Sequence, residues 1–297
     1  MKEVVCFGEV LWDIYSDEKK PGGAPLNVAL RMKSFGFNTH MISSVGNDDL
    51  GRELLTVLDK KGIDSKHIQI SKDFDTGTVG VTLDKNGSAS YKINHPVSWD
   101  KIELLPEYKK LVSSSNAFIF GSLIARDSVS KKCLLVLLKK STYKIFDLNL
   151  RAPHYSISDL EFYMNQADFI KFNDEEIEEI CNAFGSKKNN LEEQVLFISK
   201  KTNTSSICVT LGKDGALLLH KGSFYIQKGY AVVVKDTVGA GDSFLGTLIS
   251  LIINNCDPAE ALDKACATGA LVCQNIGANP EISETELADF MSSFCPK

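Results

Sequence analysis

The alternation of short apolar runs with helix-patterned segments is the feature that most narrows the folds open to this chain. Val4-Val5-Cys6-Phe7 precedes a helical pattern over Val28 to Phe35, and His40 to Val45 precedes another over Leu50 to Lys61. The series resumes with Ala117 to Phe120, Lys131 to Lys140, Lys144 to Leu148, Phe169 to Phe172, Glu175 to Ala183 and Ile207 to Leu211. Strands that are apolar on both faces need cover on both, and helices between successive strands supply it. The pattern therefore predicts an α/β fold with a doubly wound, mostly parallel sheet sandwiched by helices. With 297 residues and no internal repeat, low-complexity tract or long linker, one domain over 1–297 is expected.

One region breaks the rhythm. Thr78 to Leu83 and Ala89 to Ile93 read as short strands around Asp84-Lys85-Asn86-Gly87, and Asn-Gly is a strong hairpin turn signal. A hairpin inserted in a βα series tends to leave the sheet plane, where it can cover a site and exclude water. Residues 13–22 and 72–98 are expected to form this small β lid, with Tyr91, Ile93, His95 and Trp99 as candidates for its inner face.

Charge and composition exclude several classes. A net charge of −5 opposes a nucleic-acid partner, which needs a basic surface, and the lysine pairs are scattered between apolar segments as solvated helix ends and loops. No segment has the length of a membrane span, and the N-terminal run is interrupted by Glu9 and Asp13 and lacks a signal-peptide pattern, so a cytoplasmic location is expected. The eight cysteines form no CxxC pair and no ligand spacing with the five histidines, which reads as buried small hydrophobes in a reducing compartment.

The chemistry concentrates at two glycine-to-helix junctions. Asp236-Thr237-Val238-Gly239-Ala240-Gly241-Asp242 runs into the apolar helix pattern from Phe244. Small residues at Gly239, Ala240 and Gly241 let backbone N–H groups converge at a helix N-terminus, where orphan donors and the helix dipole favour an anion. Asp242 stands beside that anion, a costly place for a carboxylate unless it takes part in the reaction; the bland alternative is an ordinary capped helix. Pro21-Gly22-Gly23-Ala24-Pro25-Leu26-Asn27 repeats the arrangement, with Asn27 offering a donor and an acceptor to a polyhydroxyl ligand. Asp13 follows the first strand and is expected at its C-terminal edge, where open α/β sheets bind ligands.

Both junctions resemble the signature motifs of the ribokinase-like (PfkB) carbohydrate kinases. The resemblance extends in order through Val45-Gly46-Asn47-Asp48-Asp49-Leu50-Gly51, Phe146 to Arg151, Asn173-Asp174-Glu175-Glu176 and Val209 to Gly215, nearly the whole chain. It implies an ATP-dependent sugar kinase in which Asp242 is the base and the Gly239 to Asp242 backbone is the anion hole. It also implies that Asp13, Gly22, Gly23, Asn27 and Arg151 serve the sugar, and that Asn173, Thr210, Gly212, Gly215 and Asn275 serve the nucleotide. Glu176 and Asn173 are implied to organise Mg²⁺ through water. A potassium-like cation near Asp236 and Gly277, and a homodimer through the lid, are options the resemblance carries.

Gly8 to Asp13 and Gly22 to Ala29 look more like fructokinases than ribokinases, which makes fructose the expected sugar. Ribose, 2-keto-3-deoxygluconate or adenosine as acceptor, and a non-catalytic ligand-binding relative, are the competing readings. The chain has no GxxxxGK[ST] loop, no GxGxxG after its first strand and no HExxH or GxSxG motif, which weighs against P-loop kinases, dinucleotide oxidoreductases and hydrolases. An aspartate near its ordinary pKa of about 3.9 is expected to suffice as base, because phosphoryl transfer depends mainly on positioning and charge stabilisation.

Overall fold

The computed structural model describes residues 1–15, 18–83 and 89–294. Its strands, in chain order, are β1 Glu3–Phe7, β2 Leu11–Ile14, β3 Lys19–Gly22, β4 Asn38–Gly46, β5 Ile68–Ser71, β6 Gly77–Leu83 and β7 Ala89–Ile93. They continue with β8 Ala117–Gly121, β9 Lys144–Asp147, β10 Phe169–Asn173, β11 Ser206–Thr210, β12 Ala216–His220 and β13 Ser223–Gln227. Nine of them form one sheet in the order β13-β12-β11-β10-β9-β8-β1-β4-β5. All neighbours from β5 to β11 run parallel, and β12 and β13 close the far edge as antiparallel strands.

The alternation of side chains along a strand sends successive residues to opposite faces. Val4 and Cys6 of β1 enter one core, shared with Leu245, Leu248 and Ile249 of the helix Ala240–Ile253. Val5 and Phe7 enter the other, with Leu134 and Leu137 of the helix Ser128–Leu138 and Ile177 and Ile180 of the helix Asp174–Ala183. Helices cover both faces, as the apolar strands require. The strand order reverses at β1, with β4 on one side and β8 on the other, and such a switch point opens a crevice beyond the strand C-termini.

The smaller sheet, in the order β3-β2-β6-β7, stands apart from the nine-stranded one. Its β6–β7 pair is the hairpin expected from the sequence, paired from Val79↔Ile93 to Leu83↔Ala89; the Asn86-Gly87 turn lies outside the described residues. Asp13 is not at the edge of the first strand but within β2, opposite Lys20 and Val79. Trp99 does not face a pocket: it is fully buried under the Arg126 guanidinium, 4.0 Å from the ring centroid, and fills the space a side chain on Gly77 would need. Ile93 packs against the main core, and His95 is exposed beside His154.

The Asn47-Asp48-Asp49 segment is a staple between the two sheets. Asp48 caps the helix Asp49–Lys60 by accepting from Gly51 N at 2.7 Å, and it also accepts from Thr76 N at 2.8 Å and Thr76 Oγ1 at 2.7 Å, just before β6. These bonds hold its carboxyl below the ordinary value against the opposing effect of burial. Asp48→Ala removes a cap, about 1 kcal/mol, and strands the Thr76 donors at a further cost of about 1–3 kcal/mol. Its thermal midpoint is expected to fall by several degrees in calorimetry, and an unchanged midpoint would remove the staple.

Candidate active site

The helix Ala240–Ile253 begins on Gly239, whose φ of 75° and ψ of 0° are left-handed backbone. Ala240 N–H is turned back onto Thr237 O at 3.3 Å, and Ser243 N–H makes the first helical bond to Gly239 O. The N–H groups of Gly239, Gly241 and Asp242 have no acceptor among the described residues. Free amides at the positive end of a helix dipole are suited to an anion, and of the Gly239 to Asp242 stretch expected from the sequence only Ala240 has its N–H engaged.

Asp242 lies in the first turn of that helix. Its Oδ2 accepts from Asn27 Nδ2 at 2.7 Å, and Asn27 Oδ1 accepts from Asn279 Nδ2 at 2.6 Å. The Asn279 bond fixes which end of the Asn27 amide faces Asp242. Asn27 is buried and holds the carboxylate, so only part of its hydrogen-bonding capacity is left for a ligand. Asn279 was not among the residues singled out in the sequence.

Asp242 does not keep its ordinary pKa. Burial, and next the Asp147 carboxylate, push it up to about 6, against the Asn27 hydrogen bond and the charges of Lys171 and Arg151. Asp13 is likewise pushed up to about 6, by burial first and then by Asp242 and Asp236, with Arg151 opposing. A base must be ionised to accept a proton, so kcat/KM is expected to fall about tenfold per pH unit below pH 6. A profile flat down to pH 4.5 would contradict the assignment.

Two further charges, passed over in the sequence, lie behind the anion site. Lys171 of β10 and Asp147 at the end of β9 are register partners, both buried, and form an ion pair of 3.0 Å. Next along β10, Asn173 Oδ1 accepts from Glu176 N at 2.7 Å, while Glu176 Oε2 accepts from Asn173 N and Oε1 from Leu150 N, each at 2.8 Å. This capping box joins the Asn173–Glu176 element to the chain leading into Arg151. Each Glu176 oxygen keeps a lone pair, which fits contact with a hydrated cation better than direct ligation.

On the other side of Asp242 the crevice is lined from β1, β2 and β3. A side chain at Gly22 would overlap Asp13 Oδ2, and one at Gly23, whose φ is 115°, would overlap Glu9 O. The two glycines let three chain segments meet. Glu9 is buried with its Oε2 unpartnered, and burial pushes its carboxyl up to about 7. Arg151 is exposed, donates to Leu150 O at 2.8 Å, and lowers the carboxyls of Glu9, Asp13 and Asp242 by its charge.

The residues expected on the nucleotide side are dispersed along the same edge. Thr210 ends β11 and donates to Phe172 O at 3.3 Å. Gly212 and Gly215 take positive φ, 54° and 104°, and a side chain at Gly215 would run into Gln227 O. Asn275 donates to Leu271 O at 2.9 Å, which finishes the helix Pro258–Cys273. Asp236 Oδ1 accepts from Val238 N at 3.0 Å and Oδ2 from Gly277 N at 2.9 Å, tying the glycine-rich turn to the loop that carries Asn279.

A doubly wound sheet with a second small sheet beside its switch point, and an open helix N-terminus at the same edge, is the architecture of the ribokinase-like α/β kinases. The family model described as pfkB family carbohydrate kinase matches residues 1–285, and the chain belongs to that family. It is an ATP-dependent carbohydrate kinase, most like fructokinases. It is 27% identical to a probable fructokinase-5 of Arabidopsis thaliana, with 94% of each chain covered. A double-mutant fructokinase of Vibrio cholerae O395, solved with fructose, ADP and potassium ion, superposes with a TM-score of 0.83 at 26% identity, covering 98% of both chains. A 2-dehydro-3-deoxygluconokinase of Thermotoga maritima shares the fold, with a TM-score of 0.86 at 20% identity, covering 98% of this chain and all of that one.

Proposed function

We propose that this protein transfers the γ-phosphoryl group of ATP to fructose, with Asp242 as the base. The observation that carries the chemistry is the Asp242 carboxylate, held by Asn27 in the first turn of a helix whose leading amides are free. The sugar rests on the fructokinase relatives that match along the length of the chain. In the transfer, a sugar hydroxyl oxygen forms a bond to the γ-phosphorus. The bond from that phosphorus to the β,γ-bridging oxygen breaks, its electron pair leaves with ADP, and the hydroxyl proton passes to Asp242. Gly241 and Asp242 N–H groups stabilise the charge on the phosphoryl oxygens, and their positions are fixed before the reaction begins.

Asp13 and Asn27, with Gly22 and Gly23 allowing close approach, bind sugar hydroxyls, and Arg151 serves the sugar or the phosphoryl group in transfer. The segment from Thr210 to Gly215 and the Asn275 loop bound the nucleotide. Mg²⁺, when bound, neutralises phosphate charge, and Glu176 with Asn173 would hold it through water. Among the described residues no three carboxylate, histidine or cysteine side chains cluster closely enough to ligate a metal alone. The loops that Asp236 ties together are the proposed place for a monovalent cation.

The small sheet is proposed to close over the sugar as a lid on a single 1–297 domain. The aliphatic stem of Lys20 in β3 approaches Gly277, where a Cβ would lie 3.1 Å from Lys20 Cδ, so this sheet already reaches the loop on the far side of the crevice. Dimerisation through the same sheet and a cytoplasmic location belong to this reading. Among the described residues no helix is long and apolar enough to cross a membrane.

ADP release from ATP and Mg²⁺ across fructose, ribose, glucose, adenosine, fructose 6-phosphate and 2-keto-3-deoxygluconate tests the reading. Fructose is expected to give the highest kcat/KM. Preferred turnover of another acceptor discards the sugar and keeps the chemistry, and silence with all six discards both for this panel.

A further inference from the structure

Lys171 is hard to explain as a structural residue. It occupies a strand between Ile170 and Phe172, is buried, and its ammonium lies 3.0 Å from Asp147 Oδ1, while Asp147 Oδ2 has no hydrogen-bond partner among the described residues. A buried ion pair kept for stability needs its remaining lone pairs satisfied, and this one leaves Asp147 Oδ2 open. Phe169 and Ile145, two residues before Lys171 and Asp147, both pack in the core under the helix Ala240–Ile253, so alternation along the strands turns the pair toward the same helix.

The position of the ammonium is more telling. A Cβ built on Gly241 would lie 3.4 Å from Lys171 Nζ, which puts the cation against the first turn of the helix Ala240–Ile253. Helix N-termini carry positive partial charge, and a lysine there is repelled. The arrangement gains energy when an anion occupies the space that the ammonium and the free Gly241 and Asp242 amides share.

We propose that Lys171 is a catalytic residue of phosphoryl transfer, its ammonium contacting the phosphoryl oxygens that the Gly241 and Asp242 amides also bind, with Asp147 holding it in place between turnovers. This rests on the reading of that helix N-terminus as the phosphoryl site. Charge on the equatorial oxygens is greatest while the group is between donor and acceptor, so the cation acts on the transition state more than on bound ATP or sugar.

The test uses the full chain with Lys171→Met, the Lys171→Met/Asp147→Asn pair, and Asp242→Asn. Lys171→Met alone leaves Asp147 buried without a counter-ion and is expected to lose stability; the double variant removes both charges and is expected to recover the thermal midpoint. The expected result is that the double variant still turns over at least 100-fold more slowly with the sugar the panel selects, with the KM values for sugar and ATP within threefold of the parent. Calorimetry supplies a second readout: ADP is expected to bind it normally, while ADP with aluminium fluoride and sugar, a mimic of the group in transfer, loses at least 100-fold in affinity. A double variant with kcat within threefold of the parent overturns the proposal and leaves Lys171 a structural counter-ion. If Asp242→Asn is impaired in that case, the reading of the site survives; if it too is unimpaired, both fall.

Discussion

Asp242→Asn is expected to lower kcat by about 10²–10⁴-fold while raising the thermal midpoint at neutral and alkaline pH. The loss follows from removing the group that takes the hydroxyl proton. The gain follows from where that group sits. Its carboxyl is pushed from an ordinary 3.8 up to about 6, with burial the first cause. Between those values the folded chain holds the proton more tightly than the unfolded chain does, so stability falls as pH rises from about 4 to about 6 and stays reduced above. An asparagine can still accept from Asn27 Nδ2 and carries no charge to bury. A gap of about two pH units sets an upper bound near 3 kcal/mol, which solvent at this partly exposed side chain reduces, leaving a rise of a few degrees. Scanning calorimetry at pH 4 and pH 8, beside kcat at pH 8, checks both halves. Unchanged turnover would end the role as base, and a midpoint lowered at pH 8 would mean that Asp242 supports the fold instead of straining it.

That opposition between stability and function marks the part of the site a sequence conceals. The sheet was legible because burial on both faces leaves continuous apolar runs, and the smaller sheet because Asn86-Gly87 punctuates two alternating segments. The order of glycines around Asp242 was legible too, since few backbones other than a helix N-terminus place small residues and a carboxylate in that spacing. Asp13 was misplaced because three residues intervene between β1 and β2, too few to show that the chain has already turned into a second sheet. Trp99 looked like a pocket residue by its nearness to the hairpin, and only packing against Arg126 and Gly77 reveals it as core.

Pairings across long separations were the least accessible. Asn27 and Asp242 are 215 positions apart and Asn27 and Asn279 are 252 apart, and no local pattern links an asparagine to the partner that holds it. The raised pKa of Asp242 was hidden for the same reason, because it depends on burial first and then on Asp147, a strand residue distant in the chain. Lys171 and Asp147 did leave a trace. A lysine between Ile170 and Phe172, and an aspartate directly after Ile145-Phe146, are charges placed among apolar strand residues, and buried charges of that kind demand a partner. The parallel register of β9 and β10 supplies it.

Gly239 is constrained both by its left-handed backbone and by its neighbours, and Gly239→Ala is expected to cost both stability and turnover. Left-handed backbone costs a residue with a Cβ about 1–2 kcal/mol, and here the new atom would also lie 2.5 Å from Ala278 Cα and 2.7 Å from Ala278 O. Backbone cannot yield as a flexible side chain does, so either the helix start or the 277–280 loop must move, for a total of about 2–4 kcal/mol. Asn279 follows Ala278 and holds Asn27, which holds Asp242, so the displacement reaches the base as well as the free amides. Loss of one such donor costs about 10²–10³ in kcat elsewhere, and that is the size expected here. Gly36→Ala separates collision from strain: its φ of 80° is equally left-handed, but no atom lies within 4 Å of the added Cβ. Chemical denaturation and steady-state kinetics on the two variants should give a modest stability loss with parental kcat for Gly36→Ala, and losses in both for Gly239→Ala. If the two behave alike, the contact with Ala278 carries no part of the site's geometry, and the amides are held by the helix alone.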